Sequence, residues 1–336
     1  MNAASTIASE ESRRNLINSV AFETLVISLA LAFGAIGFSV MRGWFWLAVP
    51  LVLVTSHLMH GLLIGFHEAS HSLLRRSRWL NEFDGVLIGV FSLLPFSLYR
   101  VVHQSHHVHL ATERDEEFWP HVSTRASRGV RRLAAFLELT LGLIYAPMIF
   151  LRVFLRPGSP IRSRRVRRRI WAELALIALV WASVLSAVAW FDMWKYFLWM
   201  YLAPALIAAN LQSWRKYIEH VGLTGETVNS STRSIVAENW LGRFVAFTLL
   251  HEPFHGVHHQ RAALPHVMLP QYTDDLMPRN PGERVPFLNY RQALAELLRS
   301  LTNPRVGAQW RGFDEHAAEL VVPNETGVDW PFGKRT

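Results

Sequence analysis

Apolar residues in this chain come in long runs broken by short polar stretches, and the lengths of those runs set the predicted elements. A spanning helix needs about 20 mostly apolar residues at 1.5 Å rise to cross roughly 30 Å of hydrocarbon. Residues 20–40 and 44–66 meet that requirement and are separated only by Met41, Arg42 and Gly43, which predicts a tight helical hairpin. Residues 170–191 and 196–211, split by Asp192, Met193, Trp194 and Lys195, predict a second. Trp44, Trp46, Trp190 and Trp194 gather at the two turns, where amphipathic rings favour the headgroup level. Two further runs are marginal: residues 85–99 are short and contain Pro95, and residues 133–155 carry Glu138, Pro147 and Arg152.

Charge selects a topology. Residues 67–169 hold 17 Arg and no Lys against 8 acidic residues, and seven of the arginines fall in residues 156–169. The positive-inside rule assigns this stretch to the cytoplasm, together with Arg13 and Arg14. Four spans in two hairpins, with both marginal runs re-entrant or interfacial, put every basic segment and both termini on that face. If both marginal runs spanned, the histidines between them would be stranded on the far side. The arginine run reads as a stop-transfer anchor against anionic headgroups, and nucleic acid is not an expected partner. The expected organisation is a polar segment over residues 1–19, a membrane domain with a cytoplasmic helical cap over 20–270, and a charged cytoplasmic extension over 271–336 with one helix near 290–301. The fold class is all-α.

Of 336 residues, 51% are hydrophobic and 18% charged, which disfavours a disordered chain. The absence of cysteine excludes disulfides and every thiolate-ligated zinc, haem or iron–sulfur site. Histidine is abundant, with 16 copies, and concentrated. His67 and His71 stand in HEASH, His103, His106 and His107 in HQSHH, His220 alone in KYIEHVGL, and His255, His258 and His259 in HGVHH. Spacings of three and four residues put each group on one side of a helix, where imidazoles can share a metal. Neutral imidazole suits iron, zinc and copper. Nine ligands exceed what one ion can use, whereas two ions with four or five each fit the count. A lone HxxxH is often just a satisfied pair, but several boxes, each just past a predicted membrane segment and all on one face, are far more specific. His57 and His60 lie inside the second span as hydrogen-bonded bundle residues or channel lining. His109, His121, His251 and His266 are not expected ligands. Glu219 and Asp115 are candidates for orienting imidazoles from behind, and Glu68, on another helical face, is a weaker one.

The order HEASH, HQSHH, EH and HGVHH, with its hairpins, resembles the membrane fatty acid desaturase superfamily, which includes acyl-lipid desaturases, carotenoid ketolases and hydroxylases, and alkane hydroxylases. The resemblance covers residues 67–270 and implies a cytoplasmic cap over the spans holding two irons on His67, His71, His103, His106, His107, His220, His255, His258 and His259. HxxxH in the first box is similar to the acyl-lipid and hydroxylase branches. Lys216 stands where acyl-CoA desaturases have Asn, and KYIEHVGL resembles a segment of alkane hydroxylases. The implied chemistry uses dioxygen and two external electrons to remove hydrogen from an unactivated C–H bond. A second removal gives an alkene, and return of hydroxyl gives an alcohol. A desaturase acting on an aliphatic membrane lipid is the expectation, with a lipid, alkane or carotenoid hydroxylase or ketolase as its alternative. With no cysteine and no GxGxxG unit, the electrons are expected from a separate ferredoxin, rubredoxin-like protein or small cytochrome with its reductase. A zinc hydrolase commonly uses three protein ligands and an open position, and a transporter places polar groups near the bilayer midplane, so both are remoter readings.

Overall fold

The computed structural model describes residues 15–311, so most of the polar segment 1–19 keeps its first residues outside the description, as does the tail beyond 311. The described residues are helical apart from turns, loops and an isolated bridge between Ile235 and Phe287. Helices α1 (Val20–Met41) and α2 (Phe45–Ser70) form the first predicted hairpin, and α7 (Arg164–Trp190) is the third helix long and apolar enough to cross a bilayer. The return arm of the second hairpin is less regular than the sequence suggests. It runs through a single turn, Trp194–Tyr196, a π-helical stretch, Phe197–Leu202, and then α8 (Ala203–His220). In that stretch Trp199 and Met200 pack with Ile36, Val40, Ala48 and Val52 of the first hairpin. Helix α7 stands on the outside: only 6% of its apolar window is buried within the chain, which leaves its side chains for lipid.

Both marginal runs are broken. The first becomes α3 (Arg78–Phe91) and α4 (Phe96–His109), bent by 102° across the segment before Pro95. Proline removes a donor and pushes its predecessor out of helical space, which accounts for the break. The second becomes α5 (Arg128–Thr140) and α6 (Gly142–Leu155). Gly142 is there because a side chain has no room: a Cβ would lie 2.8 Å from the Ala209 carbonyl oxygen and from Ser213 Oγ of α8.

The bend aims α4 at the site, and a buried carboxylate fixes its start. Glu173 of α7 accepts from the Ser97 backbone N–H at 2.8 Å and from Ser97 Oγ at 2.6 Å. A helix N-terminus has free N–H groups and a positive dipole end, so a carboxylate is well suited there. Glu173→Ala is expected to cost about 1–3 kcal/mol, the penalty for orphaned buried donors, seen as a lower unfolding midpoint in detergent. A midpoint unchanged from the parent would refute this role for Glu173.

The remaining α-helices among the described residues are α9 (Val228–Ser231), α10 (Trp240–Thr248), α11 (His255–Gln260) and α12 (Tyr290–Ser300). No gap in packing marks residue 270. Ala293 and Leu297 of α12 are fully buried with Tyr217 and Ile218, and the backbone N–H groups of Val306, Gly307 and Ala308 donate to the carbonyls of His121, Leu223 and Ala111. The described residues beyond 270 thus pack against α8 and the segments around Ala111, His121 and Leu223.

Candidate metal centre

Four helix ends converge. His67 lies in the last turn of α2 and His71 caps it, while His103, His106 and His107 occupy the final turns of α4. His220 ends α8, and α11 carries His255, His258 and His259. The partial negative charge of helix C-termini favours a cation where such ends meet.

The nine imidazoles separate into two groups. His67, His71, His103, His107 and His258 bring one nitrogen each within 4.8 Å of one another, as do His106, His220 and His259. His255 joins the second group, its Nε2 lying 2.7 Å from that of His220 and 3.0 Å from that of His259. In the first group Nε2 of His103 is 3.1 Å from Nε2 of His71 and of His107, and His107 is 3.1 Å from His258. The His107 and His259 rings stack at 4.3 Å where the groups meet. With metal–imidazole bonds of about 2.1 Å, adjacent nitrogens around an octahedral ion lie about 3.0 Å apart, so these spacings suit a metal.

Proton accounting makes the same point. His220 Nδ1 faces the Ser231 carbonyl oxygen at 3.2 Å, which only accepts, so Nδ1 carries the proton. His255 Nδ1 faces Glu252 Oε1 at 2.9 Å. Burial alone would raise the Glu252 carboxyl, but His67, Arg215 and the hydrogen bond from His255 hold it well below the ordinary value, so it is ionised and accepts. Both Nε2 atoms therefore point lone pairs at each other across 2.7 Å. That arrangement is repulsive without a cation between them and is suited to one that holds both.

Carboxylates face three more of the rings. Asp115, fully buried, accepts from His106 Nδ1 at 2.7 Å, and Glu117 accepts from His103 Nδ1 at 3.1 Å. Glu252 Oε2 lies 3.1 Å from His67 Nδ1, so this residue touches one ring of each group, and its Oε1 also takes Arg215 at 2.8 Å. Glu219 pairs with Arg215 and comes within 3.6 Å of His255 Nδ1, not against its neighbour His220. Glu68 is buried with its carboxylate 3.6 Å from His67 Nδ1. Burial lowers His255 to about 4, and burial with the neighbouring imidazoles also lowers His258 and His259 well below the ordinary value. These rings are neutral at pH 7, so a metal need not displace their protons to bind.

Local sequence alone does not single out Glu252 and Glu117. Glu252 sits one turn before His255, and Glu117 belongs to the acidic run that contains Asp115; those spacings were the available signal. The other described histidines stay outside both groups: His121 meets the Tyr217 hydroxyl at 2.8 Å, His251 meets His266 at 3.3 Å and His57 meets Thr248 at 2.8 Å. Lys216 turns away to Glu138.

The sequence profile described as Fatty acid desaturase matches residues 11–291. The chain belongs to the fatty acid desaturase family. It is 25% identical over 201 residues to an sn-1 acyl-lipid omega-3 desaturase (ferredoxin) of Synechocystis sp., covering 57% of this chain and 55% of the relative. It is 26% identical over 182 residues to a Delta(12) fatty acid desaturase of Calendula officinalis, covering 48% and 46%. An endoplasmic reticulum omega-6 fatty acid desaturase of Glycine max is 23% identical over 250 residues, covering 66% and 63%. The chain thus spans about half the length of the first two of these relatives. All three carry desaturase names, and the histidine groups fit the family's histidine-box metal site.

Proposed function

We propose that this chain is an oxygen-dependent oxidoreductase of membrane lipids, an acyl-lipid desaturase that works with two irons held by the nine histidines. His67, His71, His103, His107 and His258 hold one iron and His106, His220, His255 and His259 the other. The observation that carries this reading is the facing pair of lone pairs on His220 and His255, in a chain whose relatives bear desaturase names. When bound, the irons would supply the power to use dioxygen against an unactivated C–H bond.

The protein's own work is positioning. Asp115, Glu117, Glu252 and the Ser231 carbonyl fix which ring nitrogen is protonated in His106, His103, His255 and His220, so that Nε2 of each of these four presents its lone pair inward. A core of Phe22, Ile64, Phe66, Phe96, Leu98, Tyr99, Phe150, Phe154, Leu249 and Leu250 packs around the helix ends that carry the ligands and keeps water from their membrane side. The substrate is an aliphatic lipid arriving laterally from the bilayer. Electrons come from a separate small carrier, because this chain has no cysteine for an iron–sulfur centre of its own. A ferredoxin is the first carrier to test, since the Synechocystis relative is named for one. The histidine groups and the arginine-rich stretch face the cytoplasm on this reading.

The test is mass spectrometry of lipids from cells expressing the intact chain, its His255→Ala variant or neither, supplied with iron and a ferredoxin–reductase pair. The expected product is present only with the intact chain and is lighter by two hydrogens. A product heavier by one oxygen would move the chain to the hydroxylase branch, for which KYIEHVGL is the sequence argument. Zinc in place of iron in the purified protein would overturn both.

A further inference from the structure

Helix α10 is short and ends deep. Of its nine residues only Ala246 is buried, and Trp240, Leu241, Phe244 and Phe247 are 72%, 55%, 56% and 41% exposed. On a helical wheel these four fall within about 120°, interrupted only by Thr248 at the C-terminal end, with the exposed Arg243 at the edge. Such a stripe on the surface of a soluble cap would be a liability. The position of its C-terminus resolves the difficulty. Thr248 Oγ1 is 2.8 Å from His57 Nε2, and His57 lies halfway along the 26-residue α2. Ten residues of helix separate His57 from His67, about 15 Å at 1.5 Å per residue, so the end of α10 lies well below the histidine groups. Gly61 makes the approach possible, since a Cβ there would sit 2.7 Å from the Thr248 carbonyl oxygen and 2.2 Å from Leu25 of α1.

The chain then turns back sharply. Leu250 and His251 are consecutive non-glycine residues in left-handed backbone, φ 48° and 56°, and the next residue is Glu252. Left-handed backbone at such residues persists only where the surroundings enforce it. Leu250 is fully buried, and the His251 N–H donates to the Ala246 carbonyl at 2.7 Å, which ties the turn to α10 itself.

We propose that α10 is a re-entrant membrane helix whose Trp240–Leu241–Phe244–Phe247 face lies in the hydrocarbon of the bilayer, and that the Leu250–His251 turn carries the chain from that depth back to the third histidine box. The occupant of the face is lipid, because at the depth of His57 the outside of α1 and α2 is lipid as well. This rests on the reading of α1 and α2 as spans.

The chain has no cysteine, so single cysteines report cleanly. Leu241→Cys, Phe244→Cys and a control, Arg279→Cys at a position 66% exposed on the cap, would each be made in the full iron-loaded chain and placed in phosphatidylcholine vesicles. A charged, membrane-impermeant maleimide is expected to label positions 241 and 244 at least tenfold more slowly than 279. A bimane fluorophore attached at 244 in detergent and returned to vesicles is expected to be quenched by brominated acyl chains. Labelling at the rate of the control would overturn the proposal. So would protection without lipid quenching but with oxidative cross-linking at 244 between chains, because the face would then cover a second copy. Neither readout depends on turnover, so the result stands apart from the desaturase test.

Discussion

Exchanging Glu252 for glutamine is expected to weaken metal binding in both histidine groups at once and to lower turnover by at least about 100-fold, the upper end of what loss of one outer partner costs. Glu252 reaches His67 in the group of five and His255 in the group of four, at 3.1 and 2.9 Å. A carboxylate has only acceptors, so both rings can present Nδ1–H to it and keep Nε2 for metal. Glutamine has nearly the same shape but one of its two terminal atoms becomes a donor. One of the two rings must then face an N–H with its own N–H, or change tautomer and spend its Nε2 on a proton. The substitution also leaves the buried Arg215 with Glu219 as its remaining carboxylate partner. Metal per chain, measured by elemental analysis across a chelator titration, checks the prediction. Loss confined to one ion, or unchanged retention of both, would show that Glu252 does not tie the groups together.

The elements legible in the sequence are those set by local runs and spacings. The first hairpin and α7 follow from apolar length; eight of the nine clustered histidines are marked by spacings of three and four, while the lone His220 is marked only by its place in KYIEHVGL. What local reasoning does not reach is fixed by contacts between distant segments. His106 and His107 are adjacent, as are His258 and His259, yet each pair divides between the two groups. A step of about 100° around a helix aims neighbours in different directions, but which direction meets which partner depends on how α4, α8 and α11 converge. Glu252 was silent for the same reason: a carboxylate beside a histidine is common in any sequence, and its role appears only once α2 is packed against it. The irregular return arm of the second hairpin has no local signal beyond its aromatic residues, since the π-helical stretch answers to packing on Ile36 and Val40.

The unequal division of the ligands leads to the second large effect. Removing His220 leaves His106, His255 and His259, three imidazoles, whereas removing His71 leaves four in its group. Four nitrogen donors are enough for a closed tetrahedral site, whereas three leave a position open through which the ion exchanges more readily. His220→Ala is therefore expected to hold close to one metal per chain and His71→Ala close to two, although both lose turnover by more than the roughly 10–100-fold that an outer partner is worth. The asymmetry is sharpened by His220 being one of the two facing lone pairs, since its loss also removes the repulsion that only a cation relieves in the parent. His220→Ala should then gain thermal stability relative to the parent when both are stripped of metal, and fall behind it when both are loaded. Equal metal content in the two variants would mean that the nine histidines do not divide five and four, and a stripped His220→Ala less stable than the stripped parent would remove the lone-pair argument itself.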